Sequence, residues 1–329
     1  MNRRGKARRR FVSQVVAVGA AMAAPWIGAA TRFEPRSPVR LIVPNAPGGP
    51  MDIVARALVQ QLSARWGTAS VVVDYKPGAG TMLGTEYVAR AQADGHVLGV
   101  VATPVVIVPA MRSLRFDPQK DLRYVARVGT TDLLLSGSPA LGVDNWVDAL
   151  HRVRAHPGRY TCATAGVGSS MHFALELLKQ RAQVDLLHVP FNGSAPALVE
   201  LAAGRVDFLM DPVISSLPHV KPQRLIPLAT TGDRRSPFLN QVPCLAETFP
   251  GLVAQSFLGL AAPGATSMDQ VQAIEEDVRW VLQSTAFQER LLSLGFEVAF
   301  MGSVEFSRFV AEEQVRWSRL AQQVGLQDR

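Results

Sequence analysis

The sequence predicts an α/β fold of two lobes, each a mostly parallel sheet flanked by helices, with a ligand cleft between them. Three observations carry this. Short runs rich in Val, Ile and Leu alternate with longer runs of helical period throughout residues 31–329. Strands alternating with helices imply right-handed βαβ crossovers and parallel pairing. Two strand-like stretches, residues 128–135 and 256–262, connect an early set of such units to a later one without a charge run or a Ser/Gly-rich linker. The length of 329 residues suits two domains at roughly 100–200 residues each. Two connections make the later lobe an insertion in the earlier one. Residues 31–131 with 254–329 are therefore expected to form lobe 1, and residues 132–253 lobe 2.

Each element has its own signal. Residues 39–44 (VRLIVP) form a continuous apolar strand, the kind buried on both faces of a parallel sheet. The helix expected over 52–66 carries Ile53, Val54, Ala57, Leu58, Gln61 and Leu62 on one stripe of 3.6-residue period. A second strand follows at 70–74, a helix at 82–92 and a third strand at 96–102. In the later set, 144–155 reads as a helix with Asp144 placed as its cap. Residues 159–164, 186–191 and 206–211 read as strands, interleaved with helices near 170–180 and 195–203, and 225–230 is one more strand. A Pro-rich loop at 236–250 leads into the crossover at 256–261. Two long helices close the chain. The first is striped by Val271, Ile274, Val278 and Val281, the second, after Ser303, by Phe306, Val310, Trp317, Leu320 and Val324.

Composition excludes several classes of function. The 26 Gly and 22 Pro show no repeat period, which rules out collagen-like and low-complexity chains. The formal net charge of +7 suggests nucleic acid until it is located. Arg3, Arg4, Lys6, Arg8, Arg9 and Arg10 all precede residue 31 with no acid among them, leaving 28 positive against 27 negative residues in the rest. Without that segment the basic footprint of a nucleic-acid binder is gone. The basic stretch, the apolar run at 11–27 and the small residues Gly28, Ala29 and Ala30 follow the order of a secretory signal peptide. Residues 1–30 are thus expected to direct export to the periplasm and to be removed. The run is shorter than the roughly 20 residues of a spanning helix, and Pro25 interrupts it. Arg8 to Val12 also resembles a twin-arginine signal, so both export routes stay open. No later run reaches roughly 18 apolar residues, and the mature chain is expected to be soluble. Cys162 and Cys244 are too few for a disulfide framework and read as separate thiols, and no Cys/His cluster has zinc-like spacing. Neither metal nor cofactor is expected.

Three glycine-rich segments follow strands: residues 44–52, 77–84 and 165–172. Glycine there lets backbone N–H groups approach a ligand, and a helix N-terminus favours an anion. The chemistry suggested is a carboxylate site at the C-terminal ends of strands. A dinucleotide site fails on detail, because Gly78, Gly80 and Gly84 have GxGxxxG spacing and the strand at 96–102 ends without a ribose-binding acid. There is no Walker loop and no GxSxG elbow. Ser169 or Ser170 with His172 is the remaining hydrolase candidate. Residues two or three apart at a helix start do not normally meet in triad geometry, so His172 reads as a packing or hydrogen-bonding residue. Asp52 reads first as a cap, and Asp211 either faces the cleft or starts a turn.

In these loops the sequence resembles the Bug family, the TctC-like substrate-binding receptors of tripartite tricarboxylate transporters. The likeness runs in order through residues 38–44, 46–49 with Asp52, 77–80, 93–95, and 116–118 with Asp121. It continues through Ala165, Gly166, 168–170 and His172, then 188–191, 193–197, 217–219, 235–237, Val242 and Pro243 with Glu247, and 259–264. The resemblance implies a non-enzymatic, monomeric receptor closing two lobes on a small organic carboxylate. Its partners would be the large and small transporter subunits, or alternatively a sensor kinase. By position it places Ala46, Pro47, Gly48, Gly49, Asp52, Ala102 and Thr103 at the ligand from lobe 1. From lobe 2 it places Gly168, Ser169, Ser170, His172, Phe191, Asn192, Gly193 and Ser194, with Asp211 as a weaker candidate. The chain departs from the family at Pro50-Met51, Thr103-Pro104-Val105 and Phe191-Asn192. Each departure makes the pocket less polar, so a monocarboxylate with an apolar or aromatic body fits as well as a dicarboxylate.

Overall fold

The computed structural model describes residues 33–67 and 71–326, and the expected export signal at 1–30 and the start of the expected strand at Ser70 lie outside them. The described residues form one compact unit. The chain opens with β1 (Val39–Val43), α1 (Pro50–Trp66), β2 (Val71–Tyr75), α2 (Met82–Ala89), β3 (Val97–Ala102) and α3 (Pro104–Met111). It continues with β4 (Leu122–Gly137), α4 (Trp146–Ala155), β5 (Thr161–Thr164), α5 (Ser170–Ala182), β6 (Leu187–Pro190) and α6 (Ser194–Ala202). Then come β7 (Phe208–Pro212), α7 (Val213–Val220), β8 (Ile226–Thr230), α8 (Leu245–Thr248) and β9 (Gln255–Pro263). The last elements are α9 (Met268–Leu282), α10 (Thr285–Ser293), β10 (Glu297–Gly302) and α11 (Ser303–Gln323).

Local chemistry explains the helix starts. Pro50 and Pro104 occupy the first turns of α1 and α3, where a missing N–H costs the helix nothing. Ser169 caps α5 by accepting the His172 N–H at 3.2 Å, and Ser267 caps α9 in the same way. The cap of α4 is Asn145, accepting the Asp148 N–H at 3.0 Å, not the expected Asp144. Both side chains suit the role, and the helix simply starts later than its charge pattern indicates. α3, α7, α10 and β10 have no counterpart in the sequence reading, and the short α8 falls where a loop was expected at 236–250.

The sheet runs β2-β1-β3-β9-β4-β7-β5-β6, with β10 and β8 each pairing with β4. β1 is parallel to β2 and β3, and β5 is parallel to β6 and β7. These parallel sets are joined by antiparallel β4 and β9. β4 is 16 residues long and serves both halves, its first part against β9 and β10, its last residues against β7 and β8.

Register then positions the loops. Ala102, the last residue of β3, lies across β9 from Gly129, since Ala102 pairs with Leu258 and Leu258 with Gly129. Pro212, the last residue of β7, pairs with Leu133. Both parallel sets therefore aim their C-terminal ends at one short stretch of β4. Four residues separate positions 129 and 133, about 13 Å at 3.3 Å per residue. Behind this stretch, Phe173 of α5 meets Trp317 of α11 edge to face at 5.6 Å, both fully buried. Burying such a ring stabilises by about 2 kcal/mol, so α11 fastens the second half to the first.

Candidate functional site

Two glycine-rich loops dominate this region, and each is held by a side chain from the first turn of the following helix. In the first half, the Gly48 N–H donates to Asp52 Oδ2 at 2.8 Å. Asp52 Oδ1 also accepts from Arg56 Nε at 2.8 Å and from the Tyr75 hydroxyl at 2.6 Å. Burial disfavours the Asp52 charge, yet Tyr75, Gly48 and Arg56 together outweigh it and hold the carboxyl below its ordinary range. In the second half, the Gly168 N–H donates to His172 Nδ1 at 3.3 Å. Burial, then His188 and Lys179, push the His172 pKa down to about 4, so near neutrality the ring is an uncharged acceptor.

The Gly48 and Gly168 N–H groups are thus both engaged within the protein. The donors left open belong to the helix starts. The first N–H groups of a helix lack intrahelical acceptors. In α5 the His172 N–H is taken by Ser169, and those of Ser170 and Met171 remain. α1 begins with Pro50 and α3 with Pro104, so each lacks the leading donor.

The remaining candidates divide by place. Thr103 is buried, and its hydroxyl accepts the Phe257 N–H at 3.0 Å. The adjacent Ser256 shares a 2.7 Å hydrogen bond with Ser170 Oγ. Through β9, the end of β3 thus meets the start of α5. A Cβ at Gly168 would lie 3.0 Å from Met111 Sδ, so α3 also touches this loop. Phe191 stands beside it, its carbonyl 3.2 Å from where a Gly166 Cβ would sit. Ala46, Pro47, Gly48 and Asn192 are exposed, while Gly49, Gly193 and Ser194 are half-buried and Ala102 is buried.

Asp211 pairs with Leu134 of β4. It is buried at the end of β7, its Oδ2 accepting from Ser215 at 2.6 Å and Ser216 at 3.1 Å. Burial raises its pKa to about 6 against the pull of Ser194, Ser215 and Ser216. The segment 77–84 serves packing at its last glycine: a Cβ at Gly84 would fall 2.7 Å from Pro44 Cβ.

Sequence reasoning did not name Met111, Ser256, Arg56, Tyr75 or His188 as site residues. Pro104 after an apolar strand was the available signal for α3 and hence for Met111. The serine and histidine of the hydrolase alternative do not form a nucleophile–base pair. Ser169 Oγ donates to the Gly166 carbonyl at 2.7 Å, Ser170 Oγ pairs with Ser256, and His172 Nδ1 is occupied by Gly168.

Comparison with known proteins identifies the family and the fold. Residues 54–326 match the tripartite tricarboxylate transporter family receptor, TctC. Protein BugT of Bordetella pertussis is 30% identical over 88% of this chain and 90% of its own length. An R. palustris protein solved with adipate superposes with a TM-score of 0.83 at 30% identity, covering 88% of this chain and 98% of its own. MatC of Rhodopseudomonas palustris, solved with bound malate, gives a TM-score of 0.77 at 29% identity, covering 87% and 99%. The chain belongs to the TctC family of periplasmic solute-binding receptors.

Proposed function

We propose that this receptor captures a small organic carboxylate between a lobe of residues 31–131 with 254–329 and a lobe of residues 132–253, then delivers it to a tripartite membrane transporter. Residues 1–30 direct its export to the periplasm. The observation that carries the reading is the convergence of two sets of strand ends on β4 positions 129 and 133. The adipate- and malate-bound relatives support a carboxylate. The anion sits at the start of α5, where the Ser170 and Met171 N–H groups, the Ser170 hydroxyl and the helix dipole favour negative charge. Met111 and Phe191 make the surroundings apolar, which suits an aliphatic or aromatic body on the acid. The ligand leaves chemically unchanged.

The test is a thermal-shift and calorimetric panel of aliphatic and aromatic monocarboxylates beside adipate and malate. A ligand bound only by the folded form raises the melting temperature by mass action, and chromatography should recover it intact. No shift across the panel contradicts the reading. Turnover of a carboxylate ester that Ser169→Ala abolishes would replace it with a hydrolase.

A further inference from the structure

We propose that His188, stacked on His172, acts with it as a positioning pair that sets the shape of the loop at residues 165–169. The two imidazoles lie 4.0 Å apart and 14° from parallel, one on β6 and the other on α5. Each reaches a different end of the loop. His172 Nδ1 accepts the Gly168 N–H. His188 Nε2 shares a 2.7 Å hydrogen bond with Thr164 Oγ1, which in turn accepts the Gly166 N–H at 3.3 Å. Gly166 and Gly168 have φ of 131° and 77°, backbone conformations in which glycine has many alternatives and needs an external tie. The stack supplies that tie at both glycines.

The pair works only while neutral. A proton on His172 Nδ1 would replace the acceptor with a donor facing the Gly168 N–H, and two imidazoliums at this separation would repel. The charged groups around the pair are Glu176 and Lys179 of α5. Glu176 Oε1 is 4.0 Å from His172 Nε2 but is engaged by Lys179 at 3.0 Å. Burial followed by Lys179 lowers the His188 pKa as well. The consequence for binding, that the pair presents the Ser170 and Met171 donors in one fixed orientation, rests on the carboxylate reading above. The tie itself does not.

Amide hydrogen exchange by NMR on the exported protein tests it without a ligand. His172→Leu should speed exchange at Gly168 at least tenfold. His172→Asn, which offers Oδ1 where Nδ1 was, should restore most of the protection. His188→Leu should speed exchange at both Gly166 and Gly168 and leave Gly48 unchanged. In the wild-type protein the Gly168 amide shift should titrate with the midpoint of the His172 ring, a readout that survives even if a leucine variant fails to fold. Unchanged Gly168 exchange in His172→Leu, or a Gly168 shift that ignores the His172 titration, overturns the proposal. Failure of the wild type to bind any acid of the panel counts against the receptor's assigned ligand class and not against the tie.

Discussion

The loops at residues 44–52 and 165–172 solve the same problem with opposite electrostatics. In each, a glycine N–H just before the helix bonds to a side chain four residues later, Gly48 to Asp52 and Gly168 to His172. The first acceptor is an anion paired with Arg56 and hydrogen-bonded by Tyr75, the second a neutral ring steadied by another ring. Behind the first glycine lies the Asp52–Arg56 ion pair, and behind the second an uncharged ring whose neighbouring carboxylate, Glu176, is paired with Lys179. The difference motivates the proposal that loop 1 is scaffold and wall, whereas loop 2 is the anion site.

The largest effect expected from this contrast is its pH dependence. The His172 pKa falls from 6.5 in the unfolded chain to about 4. Its contribution to stability is complete above pH 6.5 and is lost as pH falls toward 4, by about 3 kcal/mol. Asp211 acts oppositely, because a pKa raised from 3.8 to about 6 makes the folded state bind the proton more tightly. Its ionisation costs about 3 kcal/mol as pH rises through that window. In Asp211→Asn, stability should therefore drop between pH 6.5 and 4, and in His172→Asn it should rise on the same acidification. Urea denaturation at several pH values reads both. Matching profiles in the two variants would break the comparison. The depressed Asp52 pKa places the weakening of loop 1 below the usual carboxylate range.

Next in size is Asp52→Asn, which removes the charge from three hydrogen bonds in a buried position. Hydrogen bonds to charged groups are worth about 1.5–3 kcal/mol, and a loss of about 2 kcal/mol in denaturant unfolding is expected. A smaller contrast separates two glycines. Gly168→Ala should cost about 1–2 kcal/mol, since an L-residue at positive φ is strained and its Cβ would crowd Met111. Gly49 has φ of −84° and no atom closer than 3.9 Å to a Cβ. Gly49→Ala should stay within about 0.5 kcal/mol of the wild type.

Much of the scaffold was legible because it is written in local patterns. The apolar runs of β1 and β3 and the stripes of α1, α9 and α11 identify themselves. What escaped was decided by tertiary partners. α3 carries Val105, Val106, Ile107 and Val108, whose β-branched side chains favour strands, and only the surrounding core makes them a helix. β10 has every residue half-exposed and is a strand because it pairs with β4. The antiparallel direction of β4 and β9 has no sequence signature. At the site, the glycine-rich loops were visible, whereas the capping role of Ser169 was not. The inward turn of the Gly48 and Gly168 N–H groups and the reach of Met111 across to Gly168 depend on distances that spacing does not encode.

The central claim is that neutral donors at the start of α5, not a cationic side chain, hold the ligand's carboxylate. Calorimetry on the wild type, Ser170→Ala, Arg56→Ala and Arg112→Ala, with the acid giving the largest thermal shift, tests it most directly; Arg112 follows Met111 at the end of α3. One hydrogen bond to a charged group is worth about 1.5 kcal/mol or more, and each 1.4 kcal/mol is about a factor of ten. Ser170→Ala should thus weaken binding about tenfold, while both arginine variants stay within about twofold. Loss of binding in Arg112→Ala with no change in Ser170→Ala would contradict the account.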